Sequence, residues 1–459
     1  MFAYDLRLAL DSMKRHPGLT ALMVLAIALG IAVCTVTFTM YHAMATNPIP
    51  QKSERLHAVT LDTWSPDRPY DDEKPENTPQ LLTYRDATYL HAAKAAQRTV
   101  VMYKSGALLM PEREGVKPFT AMLRVTSHGF FPMFDVPFEY GQGWDAAADE
   151  GPQPVVVISH ETNEKAFGGE NSVGRTLKLG KVEYRVVGVL KPWAPSPKFY
   201  DLNNGSFEDP EDAYVPFGWG KALELPVYGN TNCWKPETGD SYQDFLNSEC
   251  VWLQFWAELP NAQEREQYQA FIDNYARSQK ALGRFPRPLN NRLYDVGQWL
   301  DRNEVVQKDN RVLVGIALLF LAVCLVNVVG LLLAKFLNAA PLTGLRRALG
   351  ASRKDIVRQH MVEVLVIGVA GGVLGLLLAV AGLAGIRSVY VSFADITGSA
   401  YDRLTQVDPI VVLATLALSL LAGVLSAVYG FALEAGEPIA DVASAKGAGM
   451  WRGNVVYIF

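Results

Sequence analysis

The sequence predicts an integral membrane protein, with four transmembrane α-helices and a large α+β extracytoplasmic domain between the first and the second. Three observations predict it. Four apolar runs of membrane-crossing length lie towards the two ends of the 459-residue chain. A long stretch of ordinary soluble composition separates the first run from the other three. The short connections between the later runs differ sharply in their Lys and Arg content. A mean hydropathy of only +0.08 averages over this division and hides it.

Residues 1–18 read as a cytoplasmic N-terminal helix ending in Lys14-Arg15-His16. A helix rises 1.5 Å per residue, so a hydrocarbon core of about 30 Å takes roughly 20 apolar residues. The first span, 19–41, meets that length with no charge inside. Signal-peptide cores run about 7–15 residues, so this run reads as an uncleaved anchor, although Ala43-Met44-Ala45 resembles a cleavage site.

Residues 42–290 form the expected extracytoplasmic domain. Val155–Ser159 reads as a strand followed by a helix to Phe167, and Thr176–Leu190 as a hairpin about Gly180-Lys181. Val251–Leu259 is a further strand candidate. Ala262–Leu282 places Tyr268, Phe271, Ile272 and Tyr275 at helical spacing. Residues 193–256 hold five of the nine tryptophans, which either line an apolar substrate surface or, as is commoner, fill a small core. Cys233 and Cys250 lie in the same stretch, and outside the cytoplasm two such cysteines are expected to pair. Closing that loop should contribute about 3 kcal/mol. Residues 291–310 read as a stalk helix running into the second span, either a stiff rod that couples the domain to the membrane or a simple tether.

The second span is 311–335, bracketed by Arg311 and Lys335; the third is 361–386, with Glu363 at its edge; the fourth is 409–433, after Asp408. The loop 336–360 with its flanking Lys335 carries six cations: Lys335, Arg346, Arg347, Arg353, Lys354 and Arg358. The loop 387–408 carries two, Arg387 and Arg403. Lys and Arg concentrate on the cytoplasmic side, which puts the six-charge loop, both termini and the tail 434–459 there. Gly350 is placed like a helix stop and Ser352 like an N-cap, so two short basic helices are expected to meet at Gly350-Ala351. In the third span, Gly368 with Gly372 and Gly371 with Gly375 form overlapping GxxxG pairs suited to helix packing. Asn327, deep in the second span, is expected to bond across helices.

A net charge of −5 supplies no basic field for nucleic acid. Gly180-Lys181 and Gly220-Lys221 lack both the upstream glycine and the following Ser or Thr of a P-loop. His160-Glu161 opens like a zinc-protease motif, but position 164 is Glu where a second His is needed. The seven histidines show no metal-ligand spacing. No carboxylate or histidine lies deep in a span to support ion-driven transport. The chain is therefore expected to be non-catalytic and to hold no metal and no cofactor.

RRALGASRKDIVRQHMVEVL (346–365) and GGVLGLLLA (371–379) resemble the signature of the MacB/FtsX/LolC-type ABC transporter permeases. The segments VTSHGFFPMFDVPFEYGQGW (125–144), VVVISHETNEKAFGGENSVGRTLKLGKVEYRVVGVL (155–190) and AYVPF (213–217) are similar to the family's periplasmic core domain in order and spacing. The N-terminal LRLALDSMKRHPGLTALMVLAIALGIAV (6–33) and EPIADV (437–442) agree. The resemblance implies an inner-membrane permease whose segment Leu345, Arg346, Arg347, Ala348, Leu349, Gly350, Ala351, Ser352 and Arg353 contacts a cytoplasmic ABC ATPase. That partner, in two copies, would bind ATP and Mg. A second permease chain, identical or paralogous, is implied as well. So, in a two-membrane bacterium, are a periplasmic adaptor and an outer-membrane channel.

The chain departs from the family in two places. The family's Arg…Glu-Ile-Gly is replaced by Pro341-Leu342-Thr343-Gly344, with the carboxylate absent. If that carboxylate docks the ATPase, this chain docks it weakly and works beside a paralogue that keeps it. An aromatic, cysteine-bearing insertion, about 193–250, is where cargo or partner specificity would sit. Efflux is the leading function. Lipoprotein release, a signalling module that transports nothing, and an anchored receptor without an ATPase are the alternatives.

Overall fold

The computed structural model describes residues 2–394, apart from 112, 114, 152 and 236–238, together with 412–414 and 417. Except for those last four positions, the expected fourth span 409–433 lies outside the described residues, as do residues 395–408 and the tail 434–459. The chain divides into two compact units, residues 44–306 and the segments on either side of them.

In chain order, the helices begin with α1 (Phe2–Arg15), α2 (Pro17–Ala45), α3 (Tyr84–Ala92), α4 (Phe130–Met133), α5 (Ala146–Glu150) and α6 (His160–Phe167). They continue with α7 (Phe217–Ala222), α8 (Tyr242–Asn247), α9 (Ala262–Ala281), α10 (Val296–Arg302), α11 (Lys308–Ala348) and α12 (Arg353–Ala394). Among the described residues three stretches are long and apolar enough to cross a membrane: Pro17–Ala45, Asp309–Lys335 and Asp355–Ile386. These cover the first three spans expected from sequence.

Within this unit the helices pack through a narrow seam. Met23, Ile27 and Ile31 of α2 meet Val328 and Leu332 of α11 and Val364 and Ile367 of α12. On α11 the buried positions Ala317, Leu321, Cys324, Val328 and Leu332 recur every three or four residues, which is one face of a helix. Gly368, Gly371, Gly372 and Gly375 are all buried. A Cβ on Gly371 would come within 2.7 Å of Ile27 Cβ, and one on Gly375 within 2.9 Å of the Ala28 carbonyl. The Gly371/Gly375 pair therefore lets α2 and α12 of one chain approach at backbone distance.

The globular unit is built on one mixed ten-stranded sheet. Its strands are β1 (Leu56–Thr60), β2 (Arg98–Met110), β3 (Phe119–Thr126), β4 (Phe138–Gly141) and β5 (Val155–Ile158), then β6 (Thr176–Leu179), β7 (Val182–Leu190), β8 (Ala213–Pro216), β9 (Gln254–Glu258) and β10 (Arg292–Asp295). Their order is β10-β1-β9-β2-β3-β8-β5-β7-β4, with β6 pairing β2 and β7. The β3–β8 and β5–β7 pairs are parallel and the others antiparallel.

Side chains alternate across a strand, and here both faces are covered. Val101 and Tyr103 face one core with Val156, Phe255 and, from α9, Ile272 and Tyr275. Val100 and Met102 face the other with Val157, Trp256, Phe130 of α4 and Trp299 of α10. Full burial of each such side chain stabilises by about 1.5–3 kcal/mol. Trp252 and Trp256 are core residues, and Trp193 and Trp219 pack against the same cores, so the tryptophan-rich stretch fills the interior.

The stalk expected over 291–310 is not one helix. Arg292–Asp295 forms β10, which pairs antiparallel with β1 (Ala58 opposite Tyr294), and α10 then ends before α11 begins at Lys308. Leu293 enters one core and Tyr294 packs against the other, and ladder bonds to β1 outweigh the helical propensity of its neighbours.

Candidate functional site

The basic segment predicted to contact an ATPase is the tip of a helical hairpin. α11 continues through Pro341 to Ala348, so the expected separate short helices are instead the ends of two long ones. Continuous i→i−4 bonding on either side of the proline, within a helix of 41 residues, outweighs the one donor that Pro341 lacks. The helix stops at Gly350, whose φ of +102° favours glycine. The Ala351 N–H donates to the Arg346 carbonyl at 3.1 Å, closing the last turn.

Across the turn, Ser352 caps α12. The Asp355 N–H donates to Ser352 Oγ at 3.3 Å, and the Ser352 N–H donates back to the Asp355 carboxylate at 3.3 Å. Arg346 Nη1 donates to Gln359 Oε1 at 2.7 Å, tying the two arms. Leu345 and Leu349, one helical turn apart, are 58% and 80% exposed at the tip. A fixed turn therefore presents two apolar side chains beside Arg346.

Below the tip, Lys335 of α11 forms an ion pair with Glu363 of α12, and the two are only 4% and 2% exposed. Ser12 Oγ of α1 donates to the same Glu363 carboxylate at 2.9 Å. Sequence reading placed Lys335 and Glu363 at the edges of two spans and did not pair them. Opposite charges near the hairpin ends were the available signal. Asn327, by contrast, makes no hydrogen bond among the described residues. It is half-buried, one position before the buried Val328 of α11, and most of the expected fourth span, one of its prospective partners, lies outside the described residues.

In the globular unit, Cys233 and Cys250 are joined, with Cα atoms 4.2 Å apart. Next to Cys250, Glu249 accepts from Arg284 Nε at 2.8 Å. Arg284 also grips Asp86 through Nη1 at 2.8 Å and Nη2 at 3.0 Å. This ties the disulfide-bearing stretch to α3 and to the chain beyond α9.

A second polar centre is fully buried and was not legible in sequence. Arg124 of β3 pairs with Asp201 and Glu211, all inaccessible to solvent. Lys198 Nζ reaches Glu211 at 2.6 Å, and the Tyr200 hydroxyl donates to the same carboxylate at 3.0 Å. Burial alone would raise the Glu211 carboxyl, but Arg124 and Lys198 hold it well below the usual carboxylate range. Its opposite charges and hydrogen bonds tie β3 to the segment 198–211 inside the domain. Separately, a groove of about 1180 Å³ is lined by Phe131, Phe138 and Trp144 with Asp135, Asp145 and Arg185. No group of His, Cys, Asp and Glu able to hold a metal occurs among the described residues.

Residues 20–275 match the family described as MacB-like periplasmic core domain, and residues 314–433 the one described as FtsX-like permease C-terminal. Among curated relatives, the macrolide export ATP-binding/permease protein MacB of a Shewanella species is 25% identical over 443 residues, covering 94% of this chain and 58% of that protein. The MacB of Bdellovibrio bacteriovorus is 27% identical over 228 residues, covering 49% of this chain and 30% of that one. The pyoverdine export ATP-binding/permease protein PvdT of Pseudomonas aeruginosa is 22% identical, covering 86% and 56%. Matches thus span about half the length of the relatives, or less. The crystal structure of the periplasmic region of MacB from Actinobacillus actinomycetemcomitans is similar at a TM-score of 0.33 and 15% identity, covering 54% of this chain and 92% of that one.

Proposed function

We propose a function from the premise that this chain belongs to the MacB/FtsX-type ABC transporter permeases. It is the membrane subunit that converts ATP hydrolysis in a separate cytoplasmic ATPase into movement of its periplasmic domain, in the service of efflux. The observation that carries this reading is the hairpin tip, where a capped turn holds the exposed Leu345 and Leu349 next to Arg346. A protein partner that covered two such leucines would bury about 25 cal/mol of apolar free energy per Å². The names of the relatives, which are export proteins, support efflux over lipoprotein release. The groove of the globular unit, lined by aromatic and charged side chains together, is where such a cargo would meet that unit.

The test is purification of the tagged full chain from its native membrane in mild detergent, followed by mass spectrometry of what accompanies it. An ABC ATPase is expected with the unaltered chain and is expected to be lost, at equal expression, from Leu345→Glu with Leu349→Glu. Recovery of a second, different permease would bear out the paralogue reading of Pro341–Gly344. Equal ATPase recovery with both leucines replaced would remove the hairpin from the interface.

A further inference from the structure

The hairpin-end arms of α11 and α12, together with α1, enclose a polar cavity of about 410 Å³. It lies at span ends: Lys335 closes the apolar stretch of α11, and His16 immediately precedes that of α2. Such a depth is the headgroup layer of a bilayer, where apolar tails give way to phosphates and water. α1 suits that layer, since its inner face contributes the buried Ala9 and the half-buried Met13 while Leu10 is exposed.

The wall chemistry is selective. Of the two carboxylates that line the cavity, Glu363 is engaged by Lys335 and Ser12, which leaves Asp11 on the exposed side of α1. Against it stand two permanent cations, Arg15 from α1 and Arg346 from α11, with His16 and His360 beside them. Arg346 gives one donor to Gln359, and a guanidinium carries five. Two guanidinium groups that line one cavity from two helices suit the oxygens of a phosphate, which accept from planar N–H donors. We propose that this cavity binds a phosphate-bearing anion, held between Arg15 and Arg346, and that its source is the headgroup of an anionic phospholipid.

The consequence is a structural one. A headgroup bridging α1 and α11 ties the N-terminal helix to the hairpin from which the coupling tip projects, and the Lys335–Glu363–Ser12 contact already links those same helices. The inference concerns this chain alone and holds whether or not an ATPase docks at the tip.

The test uses the full chain purified in mild detergent, incubated with equal amounts of phosphatidylglycerol and phosphatidylethanolamine and examined by native mass spectrometry. The unaltered chain is expected to retain phosphatidylglycerol preferentially. Arg15→Gln with Arg346→Gln is expected to lower that retention on the order of tenfold. The single replacement Arg15→Gln, at an exposed side chain, is expected to lower it by a smaller factor without touching the hairpin. A parallel thermal-shift series with inorganic phosphate alone separates the sources. A rise in melting temperature for the unaltered chain but not for the double variant would keep the phosphate site and assign it to a soluble anion. Equal retention of both lipids, or unchanged phosphatidylglycerol retention in both variants, would overturn the proposal.

Discussion

His57, in β1, is almost fully buried, and its environment makes a pH dependence that can be signed. Burial, reinforced by the Arg265 cation, lowers its pKa from 6.5 to about 4, against the smaller opposing pull of the Arg55 carbonyl and Asp295. Between those two values the unfolded chain binds a proton that the folded chain refuses, so stability rises with pH across the window. It is complete above about 6.5 and is lost as pH falls towards about 4. A shift of this size corresponds to on the order of 3 kcal/mol. Glu211 adds in the same direction at lower pH, because a carboxyl held below its usual range loses its contribution as pH falls through the unfolded value. Thermal melting of the full chain by tryptophan fluorescence should show a midpoint that drops between pH 6.5 and pH 4, and His57→Leu should flatten that limb. An unchanged slope would assign the pH dependence elsewhere. At this scale sequence was least informative: a histidine in an alternating run carries no mark of a missing proton, and nothing local announces that Arg124, Lys198, Asp201 and Glu211 converge.

Element by element, sequence reading did best where one segment contains its own explanation. The β6–β7 hairpin follows from alternating apolar residues around Gly180, whose φ of +61° the turn requires. The cap at Ser352 follows from a Ser with an Asp three residues on. Residues 291–310 failed because the strand there is created by its partner β1, more than two hundred residues away in sequence. The glycine pairs of α12 were visible, but the helix they meet was not. Gly375→Leu should force α2 and α12 apart, since its Cβ would fall 2.9 Å from the Ala28 carbonyl. A loss of about 1–3 kcal/mol is expected from such overpacking. It would be read as a lower aggregation temperature of the purified full chain. Gly385→Ala, where a Cβ meets nothing within 4 Å, should be silent. Equal behaviour of the two variants would detach the glycines from the helix contact.

For the whole molecule, the outstanding question is which side of the membrane each unit occupies, and charge asymmetry supplies a definite expectation. Leu349→Cys at the hairpin tip and Leu282→Cys in the globular unit replace side chains that are 80% and 75% exposed. The native thiols Cys34 and Cys324 are buried and Cys233 is bonded to Cys250, which keeps the background low. A membrane-impermeant maleimide should label Leu282→Cys in cells whose inner membrane is intact, and Leu349→Cys only after that membrane is opened. The reverse pattern would invert the topology and place the hairpin tip away from any cytoplasmic ATPase. Sequence by itself determined the membrane-permease class, three helices long and apolar enough to cross a membrane, the globular unit between the first two of them, the Gly350 stop with its Ser352 cap, and the family. Each of these depends on composition, local periodicity or short motifs, which a chain carries along its length. Only the tertiary structure decided that Gly371 and Gly375 meet α2, that β10 joins β1, that Lys335 meets Glu363 and Ser12, and that Arg15 and Arg346 line one cavity. Those pairings depend on distances between residues remote in the chain, and close packing sets such distances where no local signal can.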